Sequence, residues 1–148
     1  MIWFLLMLFA LLAGMALPAQ FSINAVLRSH VVSPYLAAMI SFFIGTCVLL
    51  IVTLSVDKGI KIEREILQQP WWIWTGGALG ALYVLATIIL IPKLGAANTI
   101  AYILTGQVVM SIIIDHYGLI KVPVHEISAP RIGGALLIII GVILVQKF

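Results

Sequence analysis

Two amide side chains interrupt an apolar run near the start of the chain. Gln20 and Asn24 are four residues apart, so in a helix they lie on one face, one turn from each other. Each amide can both donate and accept hydrogen bonds, which suits recognition of a polar group on a substrate. Arg28 continues the stripe, and Pro18 before it removes a helix hydrogen bond and predicts a kink. The alternative is that both amides bond to neighbouring helices.

A second polar stripe, with the same spacing of four, consists of Gln107, Ser111 and Asp115. Asp115 is the one carboxylate inside a predicted span, and a membrane carboxylate can exchange a proton for a cation. We predict substrate contact for Gln107 and proton coupling for Asp115. The alternatives are an interhelical hydrogen bond for the amide and exposure to headgroups or water for the carboxylate. Three further substrate-binding candidates are the polar side chain of Asn98 and the aromatic rings of Tyr83 and Tyr102, which suit an organic cation.

Signatures of catalysis and of metal binding are absent from the sequence. It contains no GxSxG, no phosphate-binding glycine loop and no HExxH, and its three histidines and single cysteine are scattered. We therefore predict no enzyme activity, no catalytic residue, no metal and no cofactor. The eight Lys and Arg residues form no run, which argues against nucleic acid as a partner.

The composition is that of a membrane protein. Of 148 residues, 64% are hydrophobic and only 9% are charged, too few to cover a soluble domain of this length. A helix that crosses a bilayer needs about 20 apolar residues. The sequence predicts an all-α integral membrane protein, a single domain over residues 1–148 with the lipid bilayer as its surroundings. Its five spans are predicted at approximately 2–27, 35–56, 71–91, 97–117 and 130–146.

Small residues mark candidate packing faces on two of these spans. Gly76 and Gly80 lie on the third span, and Gly134 and Gly141 lie on the fifth, each pair on one helical face. Lipid supplies no hydrophobic drive for helix association, so close approach at small residues carries much of the packing. We predict that these four glycines are helix-packing positions.

Five is an odd number of spans, so the two ends of the chain are expected on opposite sides of the membrane. The side of the N-terminus holds five Lys and Arg residues and the other side three, which weakly predicts a cytoplasmic N-terminus. So small a bias allows insertion in both orientations. Two opposite copies would form an inverted repeat, as in many secondary transporters. A parallel homodimer and a paralogous or unrelated partner are the alternatives.

Five segments in a fixed order resemble a known family. They are QFSINAVLR (20–28), SPYLAAMISFFIGT (33–46), PWWIWTGGALGALYV (70–84), PKLGAANTIAYILTGQ (92–107) and IDHYGL (114–119). Together they resemble the YdcZ-like inner-membrane exporters, the five-helix branch of the drug/metabolite transporter superfamily. The resemblance implies a multi-pass protein of the bacterial cytoplasmic (inner) membrane. Ten-helix members look like two fused halves of opposite orientation, so this chain would be half of an inverted-repeat transporter.

The function predicted on this basis is secondary transport. The chain is expected to export a small metabolite or amphipathic compound by alternating access, working as a homodimer or with a paralogous five-helix partner. A translocator of lipids or lipid-linked headgroups, and a membrane assembly subunit that transports nothing, are the alternatives. The related four-helix multidrug-resistance proteins carry a glutamate in their first helix. This chain has Gln20 and no carboxylate there, which departs from glutamate-based proton exchange.

Overall fold

A computed structural model describes residues 1–147, and this part of the chain contains helices and no strand. Five of the helices are long and apolar enough to cross a bilayer. The predictions of an all-α fold and of five membrane-spanning helices are therefore confirmed. The five are α1 (Ile2–His30), α2 (Pro34–Val56), α3 (Gly76–Leu94), α4 (Ala96–Tyr117) and α5 (Ala129–Lys147).

The turn between α1 and α2 is fixed by two side chains that satisfy backbone groups at the helix ends. The hydroxyl of Ser33 accepts a hydrogen bond from the Leu36 amide at 3.2 Å, and Pro34 occupies the first turn of α2. The guanidinium of Arg28 donates to the carbonyl of Val31 at 3.0 Å, just beyond the end of α1. α1 ends at His30, past its predicted end at residue 27.

The third span begins with a tighter turn than predicted. Trp71–Thr75 forms a 3-10 helix after Pro70, and α3 itself starts at Gly76. The Thr75 hydroxyl donates to the carbonyl of Trp72 at 2.7 Å. Three tryptophans therefore lie on a short entry turn, a position that suits indole rings at a membrane interface.

The chain forms two compact units, of which the first is Met1–Lys93. Its core joins α2 to α3 through Ala37, Ala38, Val84 and Ile88, all buried. A Cβ built at Gly80 would lie 3.7 Å from the Phe42 ring, so this predicted packing glycine lies beside a side chain of α2.

The N-terminal part of α1 is the least packed segment of this unit. Residues 1–17 are all exposed, whereas Phe21 and Asn24 in the C-terminal part are buried. Pro18 lies between the two parts and provides no amide hydrogen to the helix. The Ser22 hydroxyl donates to the Pro18 carbonyl at 2.9 Å, a bond back to residue i−4 of the kind that often bends helices. Pro18 therefore separates an exposed half of the helix from a packed half.

The second unit begins at Leu94 and contains α4 and α5, which pack against each other. The loop of residues 118–128 includes a 3-10 turn at Leu119–Lys121. The amide of His125 donates to the carbonyl of Asp115 at 2.9 Å, and the Arg131 guanidinium donates to the carbonyl of His125 at the same distance. The loop is thus tied to the end of α4 and to the start of α5. The prediction that all five spans form one domain stays a prediction.

The connections between the helices differ in length. Residues 31–33 join α1 to α2, and Gly95 alone joins α3 to α4 with a φ of 81°. Residues 57–75 and 118–128 form the other two connections. Short and long connections therefore alternate along the chain.

Gly118 is expected to be required for the fold of the loop that follows α4. Its φ is +59°, and a Cβ there would lie 2.7 Å from Cγ2 of Val124. We expect Gly118→Ala to lower the free energy of unfolding by about 1–2 kcal/mol for the left-handed backbone, with the steric overlap adding to this. Thermal unfolding in detergent measures the effect.

Gly106→Ala is the matched control, because a Cβ at that helical position meets nothing within 4 Å. It should be neutral or stabilise by up to about 1 kcal/mol. Adding Val124→Ala to the Gly118 variant should recover only that part of the lost stability which comes from the steric overlap. Equal melting temperatures for Gly118→Ala and Gly106→Ala would contradict a requirement for glycine at position 118.

Candidate functional site

Gln20 lies at a small cleft between α1 and α2. The cleft has a volume of about 190 Å³, and its polar lining comes from Gln20, Ser41 and Thr46. The Thr46 hydroxyl already donates to the carbonyl of Phe42 at 2.9 Å, which leaves its oxygen as an acceptor. Gly45 lines the α2 wall of the cleft and has no side chain to fill it. Substrate contact for Gln20 stays a prediction, and nothing in the sequence indicated that two hydroxyls of α2 accompany it.

Asn24 is the most unusual polar side chain in the first unit. It is only 3% exposed, and its amide nitrogen has no hydrogen-bond partner among the described residues. Leaving a buried donor unmade costs about 1–3 kcal/mol, and buried polar groups are generally paired. A group that carries this cost is explained if its partner comes from outside the chain. The partner can be a polar atom of a substrate or of another subunit.

Tyr83 lies against the part of α1 that contains Asn24. Its ring meets the ring of Phe21 edge to face, with centroids 5.4 Å apart. Phe21 and Asn24 are three residues apart and therefore neighbours on the helix surface. The first unit thus brings one predicted aromatic candidate and one predicted amide to the same face of α1. Gln20 lies one turn before Asn24 and is exposed.

The candidates on α4 do not share one face. At about 100° per residue, Gln107 lies about 180° around the helix from Asn98, whereas Tyr102 lies about 40° from Asn98. The Asn98 amide nitrogen donates to the carbonyl of Leu94 at 3.1 Å, and the Ser111 hydroxyl donates to that of Val108 at 2.9 Å. Tyr102 and Gln107 are both exposed. Asn98 and Tyr102 therefore lie on the same side of α4, and Gln107 lies on another side.

Asp115 is held in an ion pair with Arg131. A guanidinium nitrogen lies 2.6 Å from a carboxylate oxygen, and the two side chains are 35% and 26% exposed for Arg131 and Asp115. Each charge alone would oppose its helix dipole, since Asp115 is near the end of α4 and Arg131 near the start of α5. The ion pair offsets both of these unfavourable interactions with the helix dipoles. His116 adds a further tie by accepting from the Ile127 amide at 3.3 Å.

Sequence reasoning treated Arg131 only as a charge that sets orientation. The signal for its partner was present, because opposite charges lie at the two helix ends that the loop of residues 118–128 connects. The ion pair gives Asp115 a structural role that is separate from its predicted role in proton coupling, which stays a prediction.

We expect Arg131→Gln to destabilise the protein by about 1 kcal/mol, because the carboxylate loses its partner while solvent screens part of the effect. Asp115→Asn combined with Arg131→Gln should cost less than the sum of the single changes. A double-mutant cycle on thermal unfolding measures this coupling. Additive effects would show that the ion pair contributes nothing to stability.

The other predicted packing glycines have no close neighbours. A Cβ built at Gly76, Gly134 or Gly141 meets nothing within 4 Å. A packing role for these three positions therefore needs a second molecule or a neighbouring element to approach them. Within residues 1–147, no three His, Cys, Asp or Glu side chains come together in a way that could hold a metal ion.

Comparisons with known proteins agree with this architecture. A sequence profile described as "Putative inner membrane exporter, YdcZ" matches residues 5–144. The chain is also 27% identical over 140 residues to the inner membrane protein YdcZ of Escherichia coli (strain K12). That alignment covers 94% of this chain and 93% of the relative. No solved structure matches the chain significantly.

Proposed function

Because the chain belongs to the YdcZ family of inner membrane proteins, described as exporters, we propose that it is a secondary transporter. It exports a small metabolite or an amphipathic compound by alternating access. Five apolar helices and the relative's name support a multi-pass protein of the inner membrane. An exporter family also favours transport over catalysis.

The observation that carries the proposal is the unpaired amide nitrogen of Asn24. A donor that is 97% buried and lacks a partner is poised for an acceptor that arrives and leaves. Gln20, one turn away at the polar cleft, provides a second amide for the same molecule. A substrate with carbonyl or hydroxyl oxygens and an apolar body fits this pair.

The kink site at Pro18 suits alternating access. The helix loses one hydrogen bond there, so bending at this position costs less than elsewhere in α1. Gln20 and Asn24 follow directly after it. A bend at Pro18 would therefore change the environment of both amides, which is what a site open to each side in turn requires.

The working unit in this proposal is a dimer of two five-helix halves. The exposed residues 1–17 of α1 and the open space at Gly134 and Gly141 support an approach by a second copy or a paralogue. We expect Gly134→Leu or Gly141→Leu to weaken self-association, because leucine holds helix backbones apart. Sedimentation in detergent measures this. If both variants associate like the parent, α5 is not the interface.

A translocator of lipids or lipid-linked headgroups is the rival function. An apolar groove of about 510 Å³ between α2 and α3, lined by Phe42, Leu82 and Leu85 among others, favours it. Its volume lies within the range of about 300–1,000 Å³ that small-molecule pockets span, and its apolar lining suits an acyl chain.

Purified protein in liposomes separates the three functions. A transporter is expected to change the signal of an enclosed pH dye when one compound of an amphipathic panel is added outside. A lipid translocator instead exposes labelled lipid to an added quencher, and an assembly subunit does neither. Lipid movement without any pH or solute signal would overturn the transport proposal in favour of its rival.

A further inference from the structure

A second groove, at the end of α1 and α3, combines an apolar floor with two basic side chains. It has a volume of about 450 Å³, and its apolar lining includes Pro34, Ile88 and Pro92. Arg28 and Lys93 contribute the charges from two different helices. Both belong to the first compact unit. Among the described residues the ion pair joins Asp115 to Arg131, so neither Arg28 nor Lys93 has a carboxylate partner there. Arg28 instead donates to the Val31 carbonyl.

The sequence leaves these two charges without acidic neighbours at their membrane surface. In the first unit all three acidic residues, Asp57, Glu63 and Glu65, belong to residues 57–75, which connect the opposite ends of α2 and α3. The end of the first unit that holds the groove has the two cations Arg28 and Lys93 and no acidic residue. An anion that reaches this surface meets uncompensated positive charge.

A third positive contribution comes from the backbone. Pro34 is the first residue of α2 and lines the groove, so the positive end of a 23-residue helix lies there. A guanidinium binds phosphate through two parallel hydrogen bonds, and an ammonium adds a point charge. The floor of the groove is apolar, and its place at the ends of membrane-spanning helices is expected to bring it to the level where headgroups meet acyl chains.

We infer that this groove binds the phosphate head of an anionic phospholipid, with the upper part of its acyl chains on the apolar floor. Arg28 and Lys93 lie in the last turns of α1 and α3, the depth of a lipid phosphate. The inference goes beyond transport, because it concerns a bound lipid and holds whether or not the protein moves a cargo.

The alternative explanation is that each cation only offsets the negative end of its own helix. That role predicts no preference among lipids. Binding of phosphatidylglycerol to the full chain in detergent, titrated and followed by native mass spectrometry, separates the two explanations. Arg28→Gln with Lys93→Gln is expected to weaken phosphatidylglycerol binding about twenty-five-fold, from about fivefold per basic residue. Binding of phosphatidylethanolamine should change little.

Lys61→Gln with Arg64→Gln is the matched control, with the same loss of charge at the other surface of the same unit. It should leave phosphatidylglycerol binding within about threefold of the parent value, since acidic neighbours already offset those two charges. Arg28→Lys with Lys93→Arg keeps the charge and should retain binding, which guards against misfolding as the cause. Equal weakening by both glutamine pairs, or equal binding of the two lipids by the parent, would overturn the inference. Displacement of the lipid by glycerol phosphate at comparable concentration would assign the groove to a soluble organic phosphate instead.

Discussion

Asn24→Ala is expected to stabilise the protein and to impair transport. The change removes a buried donor whose unmade hydrogen bond costs about 1–3 kcal/mol, and it improves helix propensity. We therefore expect a net gain of about 1 kcal/mol in thermal unfolding, after the loss of packing volume. Transport in liposomes should fall about tenfold to hundredfold, because the substrate loses the same hydrogen bond.

Gln20→Leu and Gln107→Leu should likewise abolish transport while the protein stays inserted and associated. Gln69→Leu is the matched control, because it makes the same change in the loop before the third span. Full transport in Asn24→Ala would assign that amide to a partner subunit. Full transport in both leucine variants would leave interhelical bonding as their role.

Locking the orientation is expected to have an equally large effect. Five basic residues against three allow both orientations, so a reporter joined after Phe148 should give cytoplasmic and external signals. Two or three lysines added between Asp57 and Gln69 should fix the N-terminus inside. If an antiparallel pair is the working unit, the locked protein alone falls to background transport. Co-expression with a copy locked by lysines in residues 31–33 should restore activity.

The control for this experiment is an insertion of glutamates of equal length at the same place, because acidic residues contribute little to orientation. Such a chain should keep both orientations and its activity. Normal transport by a protein locked in one orientation would contradict the inverted pair and favour a parallel dimer.

The helices were predictable because long apolar runs determine them, whereas their ends depend on local contacts. α1 ends at His30, and Arg28 donates to the Val31 carbonyl just beyond that end, a contact that hydropathy does not encode. Trp71–Thr75 enters the third span as a 3-10 turn, although its composition suits either helix type. Family, fold class and number of spans thus followed from the sequence, and helix boundaries did not.

The candidate site was predictable by residue type and less so by arrangement. A spacing of four drifts by about 40° per step, so Gln20 remains exposed while Asn24 turns into the core. The partner of Asp115 is 16 residues away and across a loop, beyond the reach of any helical periodicity. The two hydroxyls beside Gln20 belong to α2, and only packing could bring them there.

The unequal lengths of the connections allow proteolysis to report the orientation of each copy in the membrane. Residues 57–75 contain Lys58, Lys61 and Arg64, all exposed, whereas residues 31–33 and Gly95 are too short to enter a protease cleft. Trypsin added outside intact spheroplasts should therefore cut only those copies whose N-terminus faces out. The fraction of chain that survives such shaving counts the two populations in the native membrane, without any fused reporter to disturb them.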